Sequence, residues 1–259
     1  MHRLITIRFS HYNEKARWAL DRCRVPYREE AYMPTFHFLP TLALAIRYGL
    51  GRSDVASTPF STPALVTDGG ECLRDSSDIV RWVSDRHAGG ALHPTDEAAA
   101  LERRFHDELG PHARRVAYFH AFRDPSLLGK MADHNVGRTQ ATLFKALQPF
   151  AKAGIQKGLR VTPEGAARST AKVRAIFDEI GVRVRGRRYL VGDTFTAADL
   201  AFACMAAPAL LPSPAEGYAA WFPPIDEVPR AVGDLVRELR ASEAGAYALR
   251  MFATERRPG

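Results

Sequence analysis

The sequence predicts an α/β domain followed by an all-helical one. Three observations carry that expectation. The apolar period changes from two to about 3.6 near residue 10, a strand pair with a turn occupies residues 62–73, and helical patterns dominate beyond the punctuation AGGALHPTD at 88–96. Residues 3–9, RLITIRF, place Ile5, Ile7 and Phe9 on one side and Thr6 and Arg8 on the other, the alternation of a half-buried strand. Over residues 12–23, Ala16, Ala19, Leu20 and Cys23 follow i, i+3, i+4, i+7, so a helix burying one stripe comes next. VPYREEAYM supplies a second strand after Pro26. A helix is expected over residues 39–48, inside an excursion of residues 34–61 that is too long for a simple connection. TPALV and ECL, separated by Asp68, Gly69 and Gly70, form a hairpin, and Ser76 is placed to cap a helix with Ile79, Val80 and Val83 facing inward. The boundary falls in the punctuation, giving domains at 1–88 and 92–259.

Bulk properties narrow the function classes. A chain of 259 residues with 46% hydrophobic content can bury a sizeable core without covalent staples. Cys23, Cys72 and Cys204 lie far apart with no CxxC pair, which argues against a disulfide framework or a cysteine-based metal site and fits a reducing, cytoplasmic setting. The stretch MHRLITIRFS lacks the apolar core of a signal peptide. The most apolar run, residues 197–211, is too short for a bilayer, carries Asp199 and contains Pro208; it reads as a buried helix, and no membrane span is expected. The net charge of +7 is regional, because residues 103–188 hold 18 Lys and Arg against 7 Asp and Glu, whereas residues 189–259 hold 6 against 9. Spread along helical patterns, with no zinc spacing, aromatic RNA-binding motif or compact basic tail, this basicity reads as a solvated face and not as a nucleic-acid surface.

Four stretches can carry chemistry. Ser10 stands where the first strand gives way to a helix, a place whose unpaired N–H groups and dipole favour a negative charge. Its hydroxyl either caps the helix or donates to a bound thiolate, lowering a thiol pKa from about 8.5 toward neutrality. Pro63, opening a strand after a polar loop, is either an edge feature or a cis-proline that turns the preceding backbone toward a ligand. Asp75 and Ser76 stand at another helix start, as a plain cap or as a polar pocket for the charged end of a peptide-like ligand. Thr196 and Asp199 form an N-capping box ahead of the apolar helix, a structural role.

Taken in order, these stretches resemble the soluble glutathione S-transferases over most of the chain. The resemblance implies a thioredoxin-like N-terminal domain that binds glutathione and an all-helical C-terminal domain that supplies much of the pocket for the second substrate. Residues 10–17, SHYNEKAR, resemble the S-P-x-x-x-(K/R)-V-R stretch of serine-type members with His11 in place of proline, so Ser10 corresponds to the catalytic hydroxyl. Thr62-Pro63 is similar to the family's Val-Pro pair with a cis-proline, whose first residue bonds the cysteinyl backbone of glutathione. Asp75-Ser76 is similar to the Glu-Ser pair that holds the γ-glutamyl end, with a shorter carboxylate here. Residues 189–200 resemble the L-x-G-x-x-(F)-(S/T)-x-A-D signature, in which Thr196 and Asp199 match the capping box. His37, Arg47 and Arg52, in the expanded segment, are the candidates for the glycyl carboxylate, and Tyr12 competes with Ser10 as donor to the thiolate. Ser10 and Asn13 occupy the positions of the two cysteines of thiol–disulfide relatives, which excludes dithiol redox chemistry. The implied activity is glutathione-dependent transfer to a small electrophilic or hydrophobic substrate, or a related isomerase or lyase reaction. Glutathione is then the co-substrate, no metal is involved, and the assembly is a homodimer. A non-catalytic ligand- or partner-binding protein on the same fold is the alternative. Tyr118, Phe119 and Phe122 read as core ahead of pocket.

Overall fold

The computed structural model describes residues 1–49, 58–159 and 161–256. Strand β1 (His2–Ile7) pairs in parallel with β2 (Tyr27–Tyr32), from His2 opposite Tyr27 to Ile7 opposite Tyr32. On its other edge β1 runs antiparallel to β3 (Ala64–Val66), which forms the hairpin with β4 (Cys72–Leu73), so the sheet order is β2-β1-β3-β4. Helix α1 (His11–Arg22) makes the crossover between the parallel strands, α2 (Phe38–Tyr48) follows β2, and α3 (Ser76–His87) follows β4. This is the thioredoxin-like arrangement.

Strand β1 corrects one expectation. Leu4 joins a core with Trp18, Leu20, Ile79 and Val80, while Ile5 packs with Leu44 of α2 and with Ala64. The strand is therefore covered on both faces, not half-buried, because a central strand flanked by helices has no solvent side. Thr6, buried with it, donates its hydroxyl to Glu29 at 2.7 Å. Helix α3 corrects another. Its N-cap is Asp75, whose carboxylate accepts the Ser77 N–H at 2.7 Å, and Ser76 is the first helical residue. Both residue types cap well, and the helix begins one residue earlier than the apolar period indicates.

The second domain is helical throughout. Helix α4 (Asp96–Arg104), a π-helical turn (Phe105–Leu109) and α5 (Gly110–Ala121) follow one continuous path. Helices α6 (Pro125–Asn135), α7 (Arg138–Leu159) and α8 (Pro163–Val184) come next, then α9 (Ala197–Leu210), α10 (Arg230–Ala241) and α11 (Glu243–Glu255). All of α9 is buried, so it has no polar face, and its start is satisfied by protein alone. Asp199 accepts the Thr196 N–H at 2.7 Å and the Thr196 hydroxyl at 2.9 Å on one oxygen; the other takes the Leu190 N–H at 2.7 Å and the Tyr247 hydroxyl. Much of the basic region is paired at the surface, as in Arg104 with Glu179, Arg174 with Glu238 and Arg183 with Glu97.

Helix α1 lies between the sheet and the helical domain, and so buries far more than one stripe. Glu14, Lys15 and Arg17 are almost fully buried, because each finds an opposite charge. Arg17 bonds Glu14 and Glu29, each at 2.7 Å, and Arg256 bonds Glu14 at 2.7 Å. Burial opposes ionisation of Glu14, yet Arg17 and Arg256 hold its carboxyl below the usual range. Lys15 donates to Glu102 of α4, to Ser77 at 2.8 Å and toward His106 Nδ1 at 3.3 Å. This assigns the His106 proton to Nε2, which lies 3.5 Å from Asp75. Burial opposes the charge on Glu102, but the Lys15 ammonium and the Ser77 hydroxyl hold it down at about 2. Burial, then the Lys15 charge, push the His106 ring down to about 4.

Two predictions follow from these buried groups. Asp199→Ala strands four buried donors at ~1–3 kcal/mol each, so denaturant unfolding should show a loss of about 4 kcal/mol or more, against ~1 kcal/mol for Thr196→Ala; equal small losses would contradict the role given to Asp199. The second concerns acid. An unfolded histidine takes a proton below about 6.5, which folded His106 refuses until about 4, so stability falls as pH drops through that window. The Glu102 contribution is lost at lower pH, from about 4.5 toward 2. His37 and His93, also held at about 4 by burial, add to the first window. Unfolding midpoints between pH 7.5 and 4.5 should fall, with a shallower slope in His106→Gln; an unchanged slope in that variant would contradict the assignment.

Candidate active site

A cavity of about 730 Å³ opens between the two domains. Its sheet-domain wall includes Ser10, His11, Tyr12, His37, Thr62 and Asp75; its helical wall includes His106, Arg114, Tyr118, Leu128, Met131 and Phe222. The two halves of the chain therefore enclose one space, polar at the sheet end and mostly apolar at the helical end.

Ser10 ends the β1 to α1 connection with extended backbone angles (φ −71°, ψ 129°), the geometry of an N-cap. Its side chain makes no capping hydrogen bond, which corrects the plain-cap reading. The Glu14 N–H reaches the Ser10 carbonyl at 2.9 Å in the ordinary helical way, and the hydroxyl stands half-buried on the cavity wall. The first N–H groups of α1 and this hydroxyl together make a donor-rich corner, the kind of place whose dipole favours negative charge.

Tyr12 stands in the same cavity in a different situation. Its hydroxyl donates to the His106 carbonyl at 3.1 Å, within the π-helical turn, and burial pushes its pKa up to about 12. Gly110 makes room for the Tyr12 phenol and the Met205 side chain, because a Cβ there would lie 2.5 Å from the Tyr12 oxygen and 2.7 Å from the Met205 sulfur. A π turn breaks the usual carbonyl ladder, and the tyrosine takes up one of the carbonyls. His11, buried and bonded to the Gly110 backbone, is held well below its ordinary pKa by burial and then by Arg114.

The Thr62-Pro63 peptide is cis. The Thr62 side chain accepts from Asn13 at 3.3 Å, while its backbone N–H and C=O bond no other described backbone group. Pro63 is buried beneath. Asp75 faces the cavity while capping α3 and lying beside His106. Ser76 is fully buried with its hydroxyl 3.4 Å from His106 Nδ1, behind the wall and not on it. Of the three candidates for a glycyl carboxylate, His37 lines the cavity, Arg47 stacks on Tyr48 away from it, and Arg52 lies outside the described residues. Tyr118 lines the cavity and stacks on Phe122 at 5.2 Å; Phe122 is buried, and Phe119 carries Arg123 over its ring. The core-first reading thus suits Phe122 and not Tyr118.

Several wall residues had no sign in the sequence. Arg74 pins the loop before Pro63 by donating to the Pro59 carbonyl at 2.7 Å, and burial lowers its pKa. His106 and Arg114 sit within an ordinary amphipathic pattern, and only the tertiary path of the α4 to α5 segment brings them to the cavity. Among the described residues no cluster of His, Cys, Asp and Glu could hold a metal ion, and no helix is long and apolar enough to cross a membrane.

Comparison with known proteins agrees with this geometry. Residues 9–86 match the family model for the glutathione S-transferase N-terminal domain, and residues 163–240 match the model for its C-terminal domain. A glutathione S-transferase of Methylobacterium radiotolerans, solved with glutathione sulfonate, is 20% identical with a TM-score of 0.53, over 96% of this chain and 94% of that one. A glutathione transferase of Burkholderia graminis, solved with two glutathione molecules per subunit, is 17% identical with a TM-score of 0.57, over 99% of this chain and 84% of that one. The glutathione S-transferase of Ceriporiopsis subvermispora, in complex with glutathione, is 14% identical with a TM-score of 0.57, over 96% and 94%. At these identities the likeness is one of fold, and no curated protein matches by sequence. The two family models, in the expected order on a thioredoxin-like domain and a helical one, place this chain in the glutathione S-transferase family.

Proposed function

We propose that this protein is a serine-type glutathione transferase, in which glutathione lies along the sheet-domain wall and the helical wall receives a small electrophile. The observation that carries the reading is the Ser10 hydroxyl, free of any capping bond, on the wall of the cavity at the N-terminus of α1. Donating to a thiolate there, it favours the ionised sulfur, as do the helix's own N–H groups. The tripeptide supplies the nucleophile, and the protein orients it and keeps it charged.

Each remaining residue has a place in this reading. The backbone of Thr62, turned by the cis peptide to Pro63, pairs with the cysteinyl backbone of glutathione. Asp75 takes the γ-glutamyl ammonium, and Ser76 supports it through the start of α3. His37 stands for the glycyl end, since it lines the cavity with a buried Nδ1 that has no hydrogen-bond partner among the described residues. Conjugation then forms one C–S bond: the thiolate pair attacks an electrophilic carbon, and either a leaving group departs with its bonding pair or a conjugated acceptor takes a proton from solvent. Isomerase or lyase chemistry would use the same thiolate. A homodimer and a reducing, cytoplasmic setting belong to the same reading, and the three unpaired cysteines suit it.

Tyr12 is the weaker donor in this account, because its hydroxyl is committed to the His106 carbonyl and its pKa is pushed up to about 12. With glutathione and 1-chloro-2,4-dinitrobenzene, Ser10→Ala should lower kcat/KM by about 10²-fold or more while calorimetry shows glutathione affinity changed by less than about threefold. Tyr12→Phe should retain most turnover. Turnover lost in Tyr12→Phe and kept in Ser10→Ala would reverse the assignment, and glutathione binding without turnover on a panel of electrophiles would favour a ligand-binding role.

A further inference from the structure

The described helical wall of the cavity is mostly apolar, and beside the imidazoles of His106 and His120 it carries one cation. Ala117, Tyr118, Leu127, Leu128, Met131 and Phe222 are typical of it, and among the described residues Arg114 is the only permanently charged side chain that this domain contributes. Arginine on an apolar wall is ordinarily paired. Other arginines of the same domain are paired: Arg104, Arg174 and Arg183 each bond a glutamate, and adjacent Arg115 bonds Ser169 at 2.9 Å. Arg114 makes no hydrogen bond or ion pair with any described residue; its guanidinium is half-buried, 5.5 Å from the centroid of the Tyr12 ring.

Among the described residues of the wall, none is bonded to this cation. Arg74 is engaged by the carbonyls of Pro59, Thr58 and Gly49. His11, His37, His106 and His120 are all held below their ordinary pKa, chiefly by burial, and are neutral near pH 7. Among the described residues of the lining the one carboxylate, Asp75, caps α3 and lies against His106. A planar guanidinium fixed against a ring presents parallel N–H donors, the fork that a carboxylate accepts.

We propose that the second-substrate pocket selects electrophiles that carry a carboxylate on an apolar, ring-sized body, with Arg114 as the residue that determines this specificity. The inference rests on the transferase reading above. The reaction itself is unchanged: the glutathione sulfur forms the new bond at the electrophilic carbon and the leaving group departs with its electron pair, while the carboxylate stays on the product.

The test is a matched pair of acceptors, 4-chloro-3-nitrobenzoate and 4-chloro-3-nitrobenzamide, each rate divided by its uncatalysed rate with glutathione. The wild-type protein should favour the carboxylate, and Arg114→Gln should lower the carboxylate-to-amide ratio of kcat/KM by about 10- to 100-fold, the worth of a charge-assisted pair of hydrogen bonds. Arg114→Lys should retain part of it. An unchanged ratio overturns the proposal, including the case in which both rates or the glutathione affinity fall together, since Arg114 would then serve glutathione or its thiolate. To separate this from failure of the transferase reading, calorimetry on the glutathione-saturated protein compares unreactive 3-nitrobenzoate with 3-nitrobenzamide. Tighter carboxylate binding that disappears in Arg114→Gln supports the proposal even without turnover, and equal affinities in the wild-type protein overturn it.

Discussion

A fully buried ammonium has to be met by negative charge and hydrogen-bond acceptors, and Lys15 imposes that demand at the centre of this molecule. It lies on the helix that follows the first strand, yet its carboxylate partner, Glu102, comes from the helical domain and its hydroxyl partner, Ser77, from the first turn of α3. Separating the domains would take Glu102 from both Lys15 and Ser77 and leave the Lys15 ammonium and the Glu102 carboxylate without opposite charge. The contact therefore fixes how the two halves face each other, and it sets His106 beside Asp75 with its carbonyl available to Tyr12. A second buried cluster, Glu14 with Arg17 and Arg256, ties the other side of the same helix to the end of α11.

With the halves held this way, the polar end of the cavity is built almost wholly from places where secondary structure starts. Ser10 stands at the start of α1, Thr62 just ahead of β3, Asp75 at the start of α3. Such positions leave N–H and C=O groups without intrachain partners, and a peptide-like ligand can satisfy them. The helical domain adds side chains instead, mostly apolar, with Arg114 as the single permanent cation among the described residues. In the reading proposed above, one wall takes the peptide backbone and the other the body of the second substrate.

The parts visible in the sequence were those encoded locally. The switch of period at Ser10, the hairpin around Asp68-Gly69-Gly70 and the capping box at Thr196 each concern residues a few positions apart, and the structure carries all three. What escaped was long-range. Counting apolar residues in α1 gave one buried stripe, whereas Glu14, Lys15 and Arg17 are buried too, because beside the local Glu14–Arg17 pair they have partners about 12 to more than 200 residues away. His106 and Arg114 have no local mark, since the π turn that aims them is invisible to a 3.6-residue period. Asp75 and Ser76 are both good caps, so only the observed bond to the Ser77 N–H decides between them.

The central claim is that the corner between β1 and α1 receives the sulfur of glutathione. A crystal structure of the protein soaked with glutathione tests it most directly. The account predicts the sulfur within hydrogen-bond distance of the Ser10 hydroxyl, the cysteinyl backbone against Thr62 and the γ-glutamyl ammonium at Asp75. Glutathione absent at millimolar concentration, or bound with its sulfur remote from Ser10, would contradict it.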